Sequence, residues 1–202
     1  MQPALRFISA AALAFVSASS LAVTTTYNSS ASFMGNVAAG AYTENFDGMV
    51  NPPIGSLLFS GGAFSFSAFA PTDLYLEGGF LGTNQIDEAL TITFLGGNVT
   101  AIGANFFATD INDDFQAVQM SITLSDGTVE TFTPTSLSNS YRGFVSDVAI
   151  TSLVISAPGQ SLYSGLDNLT VGGTVNAVPE PASWALISLG LAGLLASRRR
   201  GG

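Results

Sequence analysis

Between residues 23 and 177 the apolar side chains recur at every second position, and long amphipathic helical patterns are hard to find. Leu90, Ile92 and Phe94 fall on one face, with Thr91 and Thr93 on the other. Val118, Met120, Ile122 and Leu124 repeat the pattern against Gln119, Ser121 and Thr123, and Phe64, Phe66 and Ala68 alternate with Ser65, Ser67 and Phe69. Successive side chains of a strand point to opposite faces, so a period of two describes a strand buried on one side. Thr, Val, Ile and Phe also suit a pleated surface. Turn residues punctuate the runs. Ser125-Asp126-Gly127-Thr128 separates residues 116–124 from 129–133, and Asp-Gly accepts the positive φ of a tight hairpin. Gly61-Gly62, Gly78-Gly79, Gly96-Gly97-Asn98 and Asn51-Pro52-Pro53 mark further loops. Roughly eight to ten short strands at this spacing fit an all-β, jelly-roll-like sandwich of two sheets.

The two ends read differently. Residues 1–22 carry a cation at Arg6, continue through an apolar stretch at 7–16 and close on small residues. That is the layout of a secretory signal helix. Ser20 and Ala22 suit cleavage after Ala22, while Val16 and Ala18 suit cleavage after Ala18. At the other end Pro179-Glu180-Pro181 precedes the uncharged segment 182–196 and then Arg198-Arg199-Arg200. As a helix rising about 1.5 Å per residue, that segment spans little more than about 20 Å, short of a full bilayer core. Pro181 suits the first helical turn, Trp184 suits a membrane interface, and the arginines suit the cytoplasmic side. The expected organisation is a signal peptide at 1–22, a β-sandwich at 23–177 and a tail with a transmembrane helix at 178–202.

A Pro-Glu-Pro triplet, an apolar helix and an arginine cluster, in that order over residues 178–200, resemble the PEP-CTERM sorting signal of Gram-negative bacteria. The resemblance implies processing by exosortase, a multi-pass membrane cysteine protease or transpeptidase, with cleavage at or near 179–181. It implies a transient inner-membrane anchor, then the cell surface or an exopolysaccharide matrix. Pro179, Glu180 and Pro181 would then be recognised by another enzyme and perform no chemistry. The sequence Glu44-Asn45-Phe46-Asp47 and the closing Asp167-Asn168-Leu169-Thr170-Val171 also resemble the flanks of β-sandwich domains common in such proteins, some of them lectin-like.

Composition narrows the chemistry. The 202 residues hold 14 Asp plus Glu against 5 arginines. Within 23–177, Arg142 is the single cation against 13 acids, a formal charge of −12. Such a surface repels phosphate backbones, so no nucleic-acid partner is expected. His, Cys and Lys are absent, which removes Ser-His-Asp and Cys-His catalysis, Schiff-base lysine and the usual zinc and iron sites. A glycoside hydrolase built on two carboxylates is the surviving enzyme class, but no pair of acids stands out, so an enzyme is not expected. Most of the 15 phenylalanines, Phe46, Phe64, Phe66, Phe94, Phe106 and Phe132 among them, are expected in the core. A sugar-stacking strip would instead draw on Tyr42, Tyr75, Tyr141 or Tyr163.

Calcium is the cofactor such a chain could hold, because it is bound through carboxylate and carbonyl oxygens. If the first and last strands are neighbours, Glu44, Asp47 and Asp167 come close, and unpaired acids repel unless a cation intervenes. Asp110, Asn112 and Asp114 alternate like the opening of a calcium loop. Phe115 stands where the helix-loop-helix motif needs Gly, however, so only a looser loop site is expected there. Three functions follow: a non-catalytic surface or matrix protein, a carbohydrate-binding module of the exopolysaccharide matrix, or a two-carboxylate hydrolase.

Overall fold

The computed structural model describes residues 22–50 and 55–175. The expected N-terminal signal helix and C-terminal transmembrane helix, with Pro179, Glu180, Pro181, Arg198, Arg199 and Arg200, lie outside the described residues; Ala22 is the first residue described. In chain order the elements are β1 (Thr24–Tyr27), α1 (Ser30–Met34), β2 (Tyr42–Glu44), β3 (Ser56–Gly61), β4 (Phe64–Phe69), β5 (Leu74–Tyr75) and β6 (Leu81–Thr83). Then follow β7 (Leu90–Leu95), β8 (Ala101–Thr109), β9 (Phe115–Gln116), β10 (Met120–Leu124), β11 (Val129–Phe132), a 3-10 turn at Leu137–Asn139, β12 (Tyr141–Ser146), β13 (Ser152–Ser156) and β14 (Tyr163–Gly172).

These strands form two antiparallel sheets. The larger runs β1-β12-β8-β14-β6-β5, with β2 also on β14 and β9 also on β8. The smaller runs β11-β10-β13-β7-β4-β3. Their inward side chains meet in one core: Phe66, Ile92, Ile122, Leu153 and Ile155 from the smaller sheet, Ile102, Phe106, Phe144, Leu166 and Val171 from the larger. The expected alternation holds in β4, β7 and β10, where Phe66, Ala68, Leu90, Ile92, Phe94, Met120, Ile122 and Leu124 are buried. Phe46, Phe106 and Phe132 are buried as well, and Phe64 packs against the core from a partly covered position. Phe59 links Phe46 edge-on at 5.4 Å to Phe66 in a stack at 4.9 Å. The Asp126-Gly127 turn closes β10 onto β11, with Gly127 at φ 90° and Leu124 N–H donating to Thr128 O.

Two places depart from simple alternation. The run 116–124 is not one strand. Asp110–Asp114 makes a tight turn, with Asp113 at φ 63° and Asp110 N–H donating to Asp114 O, so Phe115–Gln116 folds back onto Ala108–Thr109 in the larger sheet. The chain then crosses over, and Met120 begins β10 in the smaller sheet. In β14, Leu166 and Leu169 both face the core although three positions separate them. Asn168, at φ 55°, is the extra residue of a bulge that resets the phase and turns Asp167 outward.

The outer faces of the two sheets differ. Across the smaller sheet Ser56, Phe69, Thr91, Val154, Thr123 and Val129 form one cross-strand row, and Leu58, Ser67, Thr93 and Ser152 form the next. Neither row holds a charge. On the larger sheet the outer face is partly roofed. The one-turn helix α1, capped by the Ser29 hydroxyl, lays Phe33 over Gly143 and Gly103 beside Tyr141. A Cβ on Gly143 would sit 2.5 Å from the Phe33 ring. Gly143→Ala is therefore expected to lift α1 off the sheet and lower stability by about 1–3 kcal/mol, the usual cost of overpacking. Urea unfolding checks this; an unchanged midpoint would show that α1 does not dock as described.

A trough on the outer face of the larger sheet

β8 is buried along its length except at Asn105, because both of its faces are covered. Its outward positions are Asn105, Phe107 and Thr109, which pair with Asp167, Gly165 and Tyr163 of β14. Gly165 in turn pairs with Gly82 of β6. This glycine lane has no side chains, so rings lie flat over it: a Cβ on Gly82 or Gly165 would stand 3.3 Å from Phe80. Phe80 meets Phe107 edge-on at 5.3 Å and Tyr75 at 5.4 Å.

Three cavities adjoin one another here. The first, ≈ 80 Å³, lies among Tyr75, Thr83, Asn84, Thr109, Asp113 and Tyr163. The second, ≈ 410 Å³, lies among Phe80, Asn105, Phe107, Asp113, Phe115, Ser138, Asp167 and Asn168. The third, ≈ 290 Å³, is bounded by Ser30, Thr43, Asn105, Tyr141, Asn168 and Thr170. Asp113 and Thr109 wall both the first and the second, and Asn105 and Asn168 wall both the second and the third. The three adjoin along β8 and β14, and together they are called the trough below.

Its polar groups are held by local bonds. Asn105 Nδ2 donates to Leu137 O and Ser140 Oγ, both at 3.1 Å, while its Oδ1 accepts no bond among the described residues. Tyr75 Oη donates to Asp113 Oδ2 at 2.5 Å. Burial, then that bond, then the charges of Asp113 and Glu77 push the Tyr75 phenol up to about 12, so it stays a donor. Burial pushes the Asp167 carboxyl above the usual range; the Asn168 N–H at 2.6 Å opposes this and the nearby Asp47 charge adds to it. Tyr141 Oη is buried and has no hydrogen-bond partner of good geometry among the described residues. Burial raises this phenol strongly, with the Ser30 hydroxyl pulling the other way.

The residues expected to bind calcium each have protein hydrogen-bond partners. β2 does pair with β14, Glu44 opposite Leu169, which brings Asp47 within electrostatic reach of Asp167. Glu44, however, is engaged by its own turn: it accepts from the Tyr42 hydroxyl and from the Phe46 N–H at 3.1 Å. Asp47 accepts from Asn45 Nδ2 at 2.9 Å, and Asp167 from both nitrogens of Asn168. In the second loop Asp110 accepts from the N–H groups of Asn112 and Asp114 and from Gln116 Nε2, which folds the turn around its carboxylate. No group of three or more acidic side chains among the described residues is arranged to hold a metal ion.

Of the tyrosines singled out, Tyr75 and Tyr163 stand together at one end of the trough and Tyr141 at the other. Tyr42 packs on Phe66 at 6.1 Å instead. Sequence reasoning missed Asn105, Phe107, Phe80 and Phe115. The doubled Phe106-Phe107 was the available signal, since a strand with aromatics on both sides must be covered on both faces.

Two outcomes follow. A raised carboxyl favours the protonated fold, so the Asp167 contribution is present at low pH and is lost as pH rises through its folded range. Asp167→Asn removes that loss. Its melting temperature should exceed the parent's at neutral pH, with the gap closing below the ordinary carboxylate range; a gap independent of pH would contradict this. If Glu44, Asp47 and Asp167 hold calcium as expected, EDTA lowers the melting temperature and calcium restores it; an unchanged transition removes the cation.

Residues 177–200 match the family model of the PEP-CTERM protein-sorting motif. No curated protein matches the chain at a significant level. The matched segment takes in Pro179, Glu180, Pro181 and all three terminal arginines, so the chain carries a PEP-CTERM sorting motif at its C-terminus.

Proposed function

We propose that this chain is an exported, non-catalytic surface or extracellular-matrix protein, a jelly-roll-like sandwich delivered as cargo through its tail. The observation that carries the reading is the sorting motif at 177–200, which implies export and processing by exosortase. In this account residues 1–22 start export, and cleavage follows Ala22. The apolar segment 182–196 then holds the protein in the inner membrane, with Arg198–Arg200 on the cytoplasmic side. Exosortase acts at or near Pro179-Glu180-Pro181 and frees the β-domain toward the surface or an exopolysaccharide matrix. The strongly acidic domain is consistent with that journey: it stays soluble and is repelled by nucleic acid and anionic lipid.

A second reading, carbohydrate binding in that matrix, is favoured by the trough. The hydrolase alternative would rest on Asp113 and Asp167, which line the same cavity, with Asp167 raised as a general acid needs. Against it, Asp113 is tied to Tyr75 and Asp167 to Asn168.

The sorting account is tested by replacing Pro179, Glu180 and Pro181 together by alanine in an exosortase-bearing host. The variant should stay in the membrane fraction while the parent leaves it. Equal distribution of the two would contradict recognition through this triplet.

A further inference from the structure

We infer that the trough binds a single uncharged glycan chain, laid along β8 and β14 between Tyr163 and Tyr141. This rests on the carbohydrate-binding reading and supplies its site and ligand class. Three independent observations converge on it.

The first is shape. The trough follows β8 from Thr109, opposite Tyr163, to Gly103, opposite Thr170. At about 3.3 Å per residue that is roughly 20 Å. Cavities strung over that length fit a linear chain of rings better than a compact metabolite.

The second is the chemistry of the lining. Phe115, half-buried in the wall of the second cavity, gives an apolar surface on which the C–H face of a pyranose can rest, while Phe80 and Phe107 are themselves buried. Lining the same cavity is a neutral group with unused bonding capacity: Asn105 Oδ1 accepts nothing among the described residues, and Asn105 walls both the second and the third cavity. An incoming hydroxyl would satisfy that acceptor. An open amide acceptor beside an apolar wall matches a polyhydroxylated ligand.

The third is charge. Asp113 and Asp167 line the trough, and the domain holds one cation. That cation, Arg142, is bound to Glu130 at 3.2 Å and lies 3.7 Å over the Phe132 ring. A uronic-acid or sulfated polymer would meet carboxylates and find no counter-charge. Anionic polymers are thus excluded, and because Asp113 and Asp167 are already engaged by Tyr75 and Asn168, the ligand class is neutral rather than cationic.

The test is affinity electrophoresis of the detergent-solubilised full chain through gels containing dextran, mixed-linkage β-glucan or galactomannan, with alginate as the acidic control and chitosan as the cationic one. Ser138→Trp fills the middle cavity from an exposed turn, so it blocks the trough without touching the core. At least one neutral glycan should retard the parent. Ser138→Trp, with its melting temperature unchanged, should weaken retardation by about tenfold or more, the loss of at least one well-made contact. Retardation that Ser138→Trp leaves intact keeps the carbohydrate-binding reading and overturns the trough as its site. Retardation by alginate or by chitosan alone overturns the neutral ligand. Absence of retardation by every gel overturns both. Release of new reducing ends from the retained glycan would replace binding by hydrolysis.

Discussion

The apolar seam between the two sheets governs everything outside it. Phe46 meets Phe59 edge-on and Phe59 stacks on Phe66 within it, and Ile102, Phe106, Leu166 and Val171 close it from the larger sheet. Burying such side chains is the dominant favourable term in folding, and it fixes strand phase, because a slip of one residue would turn a whole strand inside out. The bulge at Asn168 shows the constraint at work. Keeping both Leu166 and Leu169 in the seam needs one residue out of step, and the consequence is a carboxylate, Asp167, presented on the outer face. The trough is thus a by-product of core packing as much as a feature of the surface.

Electrostatics adds little to the stability of this domain. One ion pair joins described residues, Arg142 with Glu130, and it is partly exposed. The acids are accommodated by short-range donors: Asp126 by the Thr24 hydroxyl and Thr128 N–H, Glu88 by Thr72, Asp87 by the N–H groups of Gln160 and Ser161. For Asp126, burial pushes the carboxyl up, but those bonds outweigh it and hold the group below its usual range. Carboxylates anchored to loop N–H groups stiffen turns and leave the protein acidic overall. Such a domain depends on hydrophobic burial and turn geometry, which salt screens weakly.

How much of this could be read from the residues varies with distance along the chain. β7, β10 and the Asp126-Gly127 hairpin were legible because each is buried on one face and therefore alternates. β8 was not, because it is covered on both faces and reads as a continuous small and apolar run. The split of 116–124 between two sheets was hidden for a different reason. Its alternation is unbroken, and the return of Phe115 to Thr109 depends on the left-handed turn at Asp113. The trough was beyond sequence reasoning. It needs the register of β14 on β8, which places Asp167 beside Asn105 and Gly165 beside Phe107. The sorting motif needed no such register, because it is contiguous in the chain.

The central claim is that the domain travels and the tail does not. The most direct measurement is the intact mass of the protein recovered from outside the cell. The account requires a chain that begins near residue 23 and ends within a few residues of Pro179. Recovery of the complete C-terminus, through Arg198–Arg200 to Gly202, would contradict it.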